Sequence, residues 1–474
     1  MPPRTAPRRI VTENVQRPGG FVRHDVFARL LLGTFALLVA SLFAAVSLTG
    51  PLSWTVGLLY ICYDTWLLST LVRMSRGAIL EQLRPKAAPA APLPTLAVLI
   101  ASRNEQGSLP AVLDAVLAQD DQPEQFIVID DGSTDGTLHL LRDRYGVVLE
   151  DGSRIGRGPL LMVLAKPNSG KARSLNEALP LCQTDLVVTL DADTILDAGA
   201  LKAVRGDFAR YPEMTAGCGV LRPKAQPGRA APLFELYQTF EYLRSFLWRM
   251  AWSRDETLVL VSGAFAVFRR EALLAVGGFD PSSHVEDYEL LFRLHRWSWE
   301  ERRSPLQVRV IGEARATTDV PSRPGAFLRQ RTRWFAGFIE TMFKNHDMVG
   351  RAHYGRLGTF HLLVKTVDTL LPIYGLSAFF ALLLLVLRGA GIPAFILAAL
   401  VAKFLFDFCC HVYCLWLHQR WQRQALTARL FWRAALATLT EPYFFQIFRQ
   451  LGAMLGWVAF LRGRIEWAPQ REVK

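Results

Sequence analysis

No Cys-x-x-Cys pair and no Cys/His spacing suited to zinc occurs among the six cysteines, at positions 62, 182, 218, 409, 410 and 414. A zinc centre or disulfide framework is therefore not expected; three of the thiols fall in one apolar run and read as reduced and packed. The G-x-x-x-x-G-K-[ST] sequence of P-loop NTPases is missing, and no G-x-G-x-x-G follows the first strand, which counts against NAD binding. Charge is scarce as well. Asp, Glu, Lys and Arg make up 20% of 474 residues against 51% hydrophobic, with 12 Trp and 29 Phe. Such a chain is too apolar for an ordinary soluble enzyme and too charged to lie wholly in a membrane, so a soluble domain combined with spanning helices is expected.

The net charge of +12 is placed by topology rather than by nucleic acid. Arg4, Arg8, Arg9, Arg17 and Arg23 precede the first apolar run, and Arg73, Arg76, Arg84 and Lys86 follow the second. No nucleic-acid-binding module is recognised, and no nucleic-acid partner is expected. Leu30–Leu48 is free of charge and Leu52–Val72 carries only Asp64, so residues 30–72 read as two transmembrane helices joined by Thr49-Gly50-Pro51. A second span this close, behind a long basic stretch, argues against a cleaved signal peptide. The division that follows is a basic cytoplasmic N-terminus (1–29), the two spans, a Pro/Ala-rich linker (73–95) and a cytoplasmic domain (96–322). After these come an interfacial helix (323–347), two more spans within 360–418, and a C-terminal part (419–474). That last part holds a basic loop and either a further span or a re-entrant hairpin, then a short tail. The chain is thus expected to be an integral inner- or plasma-membrane protein with its catalytic domain in the cytoplasm. Within the fourth span Lys403 and Asp407, four residues apart, form a plausible intramembrane pair. The aromatic and basic stretches 233–252 and 327–345 read as helices lying on the membrane surface.

Between the spans the periodicity changes. "TLAVLIAS", "QFIVIDD", "LLMVLAK" and "DLVVTLDAD" read as strands separated by helical stretches such as "GKARSLNEAL". This alternation predicts an α/β domain with a mostly parallel, doubly wound sheet, in which ligands bind beyond the carboxyl ends of the strands. Carboxylates occupy those ends. Asp130 and Asp131 in "DDGSTDGT" are consistent with a turn and helix cap, or with a ligand site. Asp191 and Asp193 close the fourth strand, and acids gathered at adjacent strand ends repel unless something positive lies between them. Hard oxygen donors with open positions suit Mg²⁺ or Mn²⁺ completed by substrate phosphates. Lys171, at the start of a helix, is either exposed or directed toward phosphate oxygens. Glu286 and Asp287 in "HVEDYELL" are either acids complementing a helix N-terminus or, for one of them, a general base. In "QRTRW", Gln330 and Arg333 share a helix face, with Trp334 beside them.

In this order the motifs resemble those of the membrane-integrated processive family 2 glycosyltransferases, the group of the poly-N-acetylglucosamine, hyaluronan, chitin and cellulose synthases. The likeness covers roughly residues 95–345 and rests on "DDGSTD", "DAD", "VED" and the Q-x-x-R-W pattern. It implies a GT-A-type doubly wound mixed sheet domain inserted between transmembrane helices, with amphipathic interface helices. It also implies inverting transfer from a UDP-sugar donor to a growing β-linked polysaccharide, processivity coupled to export, and a divalent metal. Carried over to this chain, Asp130 or Asp131 contacts the uridine, Asp193 helped by Asp191 binds the metal and diphosphate, and Asp287 is the base. Gln330 and Arg333 grip the diphosphate, and Trp334 stacks on the acceptor sugar. Two departures stand out. Val285 replaces the usual Thr of the third motif, and "VSGAF" at 261–265 stands where cellulose synthases have Phe-Phe-Cys-Gly-Ser, which turns the comparison toward the poly-N-acetylglucosamine or hyaluronan type. The alternative is a non-processive transferase adding one sugar to a membrane lipid acceptor to give a glycolipid; an accessory subunit is also compatible with the chain.

Overall fold

The computed structural model describes residues 25–48, 50–84, 92–149, 153–228, 230–389 and 391–463. The five N-terminal arginines and most of the Pro/Ala-rich stretch lie outside the described residues. The linker expected from residue 73 is helical at first, because the helix Thr55–Gln82 continues ten residues past Val72.

The β-branched and apolar runs become β1 (Leu96–Ser102), β2 (Gln125–Asp131), β5 (Met162–Lys166) and β6 (Leu186–Asp191). The short strands β3 (Val148–Leu149), β4 (Ile155–Arg157) and β7 (Thr194–Leu196) and the longer β8 (Ala216–Ala225), β9 (Phe265–Arg269) and β10 (Val308–Val320) complete the set. All lie in one sheet of order β3-β4-β5-β2-β1-β6-β9-β8-β10-β7. β5, β2, β1 and β6 run parallel, whereas β9 is antiparallel to both β6 and β8. The sheet is therefore mixed, as a GT-A domain requires. Leu96 to Ile100 of the central β1 are all fully buried, consistent with a strand covered on both faces. Because β1 lies between β2 and β6, the register sets Ser102 beside Asp130 and Ala101 beside Asp191, so the acids of different motifs emerge on one edge.

Among the described residues three helices are long and apolar enough to cross a membrane: Val26–Ser47, Leu52–Gln82 and Ala394–Trp421. Two bent pairs pass the same test together, Leu357–Asp368 with Leu371–Leu387 at 40° and Ala428–Tyr443 with Phe445–Arg462 at 49°. Lys403 bonds Asp407 one turn away and also Asp64 of the second helix at 2.6 Å, joining the charges of two apolar segments.

The helix Ala231–Arg254, which contains the aromatic and basic stretch 233–252, buries Phe234, Phe240, Phe246 and Trp252. It packs against β8, β10 and the helix Thr55–Gln82. Its mixture of aromatics and Arg reflects a helix covered on several sides, a composition that also fits an interfacial helix.

Candidate active site

At the C-terminal edge of the parallel strands the charged side chains meet. β6 ends at Asp191, and Lys171, first residue of the helix Lys171–Ala178, places Nζ 2.6 Å from Asp191 Oδ1 and 3.0 Å from Glu286 Oε1. An ammonium thus sits between carboxylates supplied by two separate motifs. Burial alone would lower the lysine pKa, but Asp191 and Glu286 outweigh it and hold Lys171 above the ordinary range. The same contact keeps half-buried Glu286 below the usual carboxylate range, although burial opposes this.

Asp287 is different. Burial and the neighbouring Glu286 charge raise its pKa, against the pull of Lys171. Its Oδ2 accepts the Gly263 N–H at 2.8 Å and its Oδ1 accepts the Tyr288 N–H at 2.8 Å. Gly263 belongs to the "VSGAF" segment that leads into β9, and a Cβ there would lie 3.0 Å from Asp287 Oδ2. The close approach explains why this position carries no side chain. Glu286 and Asp287 open the helix Glu286–Glu300, where acids complement the helix dipole.

Asp130 and Asp131 separate by role. Asp131 is fully engaged: Ser169 N–H and Gly170 N–H donate to its two oxygens at 2.8 Å each, and buried Lys166 lies 3.0 Å away. These contacts outweigh burial and lower its pKa. Asp131 therefore locks the loop before Lys171. Asp130, pushed up by burial, accepts from Ser133 N–H at 3.2 Å and keeps its other oxygen, Oδ1, without a partner. Of the pair, Asp130 is the one with an acceptor to spare. Lys166 ends the third of the strands read from sequence, but nothing in its local pattern marked it as the counter-charge.

Asp193 stands between β6 and β7, with the Thr318 hydroxyl of β10 at 3.4 Å from Oδ1. Among the described residues no three His, Cys, Asp or Glu side chains converge as a cage for a metal ion. Two hard carboxylates at a strand end nevertheless fit a Mg²⁺ or Mn²⁺ whose remaining positions are filled by phosphate and water. Gln330, Arg333 and Trp334 lie on the helix Pro324–Lys344. Arg333 donates to the His284 carbonyl at 2.8 Å and is close enough to help lower the pKa of Glu286. Gln330 is buried with Oε1 unpartnered. Trp334 does not sit alone: the Arg331 guanidinium lies 4.6 Å from its ring centre and bonds Glu241 at 2.7 Å, a brace absent from any short motif. The Phe445–Arg462 helix holds this element closely, since a Cβ on Gly456 would lie 2.9 Å from Phe335 Cβ.

Residues 186–408 match the model described as glycosyl transferase family group 2. The poly-beta-1,6-N-acetyl-D-glucosamine synthase of Staphylococcus aureus (strain MSSA476) is 27% identical over 280 residues, 58% of this chain and 62% of its own. The enzyme of the same name from Staphylococcus epidermidis is 27% identical over 251 residues, 53% and 56% respectively. The chain thus spans about three fifths of the length of these curated relatives. Among solved structures, the mannosyltransferase PcManGT from Pyrobaculum calidifontis, in complex with GDP-Man and Mn²⁺, superposes with a TM-score of 0.50 at 21% identity, covering 88% of this chain and 99% of that one. Sheet topology and the superposition together give a GT-A-like fold, whose residues 186–408 are similar to glycosyl transferase family group 2.

Proposed function

We propose that the chain transfers a sugar from a UDP-sugar to a growing β-linked polysaccharide at a membrane, by inversion, processively and with export of the product. The observation that carries this reading is the convergence of Asp191, Lys171, Glu286 and Asp287 at one sheet edge, with Asp287 alone of the two motif acids raised toward a useful basicity. A base with a raised pKa is better matched to deprotonating a sugar hydroxyl than an ordinary carboxylate. The amides of Gly263 and Tyr288 fix its orientation, leaving proton abstraction from an acceptor approaching the edge. In a single displacement the acceptor oxygen bonds the anomeric carbon as the bond to UDP breaks, and Asp287 takes the acceptor proton.

Charge develops on the departing diphosphate. Lys171 and Arg333 are the cations placed to meet it, Lys171 by exchanging a carboxylate contact and Arg333 by leaving the His284 carbonyl. Asp191 and Asp193 would hold a divalent metal, which when bound neutralises phosphate charge. The Mn²⁺ named with PcManGT is consistent with such a requirement. Asp130 is the candidate for the uracil or ribose, Gln330 for the diphosphate and Trp334 for the acceptor sugar, where an aromatic face supports the ring without fixing its position. The catalytic domain is read as cytoplasmic, with the apolar helices spanning the membrane.

The product for which these relatives are named makes UDP-N-acetylglucosamine the first donor to test. The purified chain in nanodiscs is expected to release UDP from one UDP-sugar, to lose that release with chelator, and to regain it with Mg²⁺ or Mn²⁺. Polymers present while most acceptor is still unextended would support processivity; single additions at every acceptor ratio would refute it.

A further inference from the structure

Away from the sheet edge, a cavity of about 380 Å³ opens where the Ala394–Trp421 helix ends and the Ala428–Thr440 helix begins. Its polar lining is Gln419, Gln424, Thr427, Arg429 and Arg433, with no carboxylate. A larger cavity of about 520 Å³, beside Trp299 and His353, contrasts with it by placing Glu300 next to Arg303. Arg429 and Arg433 are four residues apart on one helix face, and among the described residues neither pairs with an acid. Two guanidinium groups left this way are arranged for an oxyanion.

Two further features point into the same space. Gln419 is only 8% exposed, lines the cavity, and hydrogen-bonds no protein group through its carboxamide among the described residues. The Ala428–Thr440 helix has thirteen residues, and its cap Thr427 accepts from Leu430 N–H at 3.2 Å. That leaves the earlier first-turn amides open at the positive end of the helix. Below them the helix exposes Trp432 (69%), Leu436 (53%) and Leu439 (52%), an apolar face suited to acyl chains.

We propose that this cavity binds a phosphate group, supplied by the headgroup of an anionic phospholipid. Arg429 and Arg433 meet the phosphate oxygens, Gln419 donates from the cavity wall, and Trp432 marks the depth of the interface. No residue lining the cavity is among those assigned to the transfer chemistry, and the proposal does not depend on it. The lipid source does rest on the membrane reading of the apolar helices, which incorporation of the full chain into nanodiscs tests separately.

The experiment is native mass spectrometry of the full chain from micelles doped equally with dioleoylphosphatidylglycerol and dioleoylphosphatidylcholine. Retention should favour phosphatidylglycerol by about tenfold, the scale expected for two cations at a headgroup. Arg429→Gln with Arg433→Gln should reduce it to parity, and Gln419→Leu should weaken it. Arg420→Gln with Arg423→Gln removes the same charge just outside the cavity and should leave the preference intact. Loss of preference in that control alone, or retention in the cavity variant, would overturn the site in favour of diffuse attraction. If the glutamine pair fails to fold, Arg429→Lys with Arg433→Lys keeps the charge but loses the fork, and an unchanged preference there counts against the proposed geometry. Inorganic phosphate at millimolar concentration should not displace the lipid. Displacement, with equal stabilisation in phosphatidylcholine alone, would assign the cavity to free phosphate and refute the lipid source.

Discussion

Lys171 and Lys403 are each held between two carboxylates, and the two clusters have opposite consequences. Lys171 joins Asp191 and Glu286 at the sheet edge; Lys403 joins Asp64 and Asp407 between two apolar helices. Each cluster carries one surplus negative charge. The Lys171 side chain is 33% exposed, Asp287 acts on it and Arg333 acts on its partner Glu286, so its contacts are open to exchange. The Lys403 side chain is 10% exposed, and its acids come from two packed helices, so its contacts hold helices together. The same charge pattern is a binding site where exchange partners reach it and a clamp where they do not.

The comparison is broken most forcefully at its catalytic end. Asp287→Asn keeps the shape and removes the base, so transfer should fall on the order of 10²-fold or more with folding unchanged, measured as UDP release. An equal rate in the variant would remove Asp287 from the chemistry. At the other end, Lys403→Met leaves two acids facing each other among apolar helices. A cost of roughly 2 kcal/mol is expected, below the 3–5 kcal/mol of a fully enclosed pair because Asp64 and Asp407 remain partly exposed. Thermal unfolding in detergent measures it, and adding Asp64→Asn and Asp407→Asn should restore most of the loss. If Lys403→Met alone removed activity at full stability, the clamp reading would be wrong.

A pH profile sharpens the contrast. Asp287 works only when ionised and its pKa is raised, so activity should fall on acidification from above the ordinary carboxylate range. Lys171→Gln removes a cation that pulls both acids down, which raises Asp287 further, lifts Glu286 from its lowered position and moves the acid limb upward. The loss at pH 6 should therefore exceed the loss at pH 9 by roughly tenfold; a pH-independent loss would restrict Lys171 to phosphate binding.

How much of this was legible beforehand depends on how local the signal is. The strands ending in Asp131 and Asp191 and the pair Lys403–Asp407 show in short windows, because strand periodicity and an i, i+4 spacing are local properties. Asp64, 339 residues from Lys403, showed only as a lone charge in an apolar run. Lys166 as the partner of Asp131, and Arg331 braced by Glu241 over Trp334, required the fold to bring distant segments together. The packing of the helix Ala231–Arg254 was not legible for the complementary reason: composition reports an amphipathic mixture, and only the fold shows which of its aromatics the sheet covers.

Gly263 is the finest test of how tightly the catalytic cluster is set. An alanine there would place its Cβ 3.0 Å from Asp287 Oδ2 and 3.3 Å from Asp287 Cβ, so the carboxylate must give by a few tenths of an ångström. The 2.8 Å bond from Gly263 N–H would be strained at the same time. Since about 1 Å of misplacement costs on the order of 10²-fold, a shift this small should lower kcat several-fold. KM for the donor should change little, because Lys171 and the DAD acids are untouched. Steady-state kinetics separate the two constants. A rise in KM without loss of kcat would mean that Asp287 tolerates movement and that the "VSGAF" segment serves donor binding instead. Loss confined to kcat would show that the raised carboxylate must be held where the two amides place it, whereas the clamp at Lys403 need only hold its helices together.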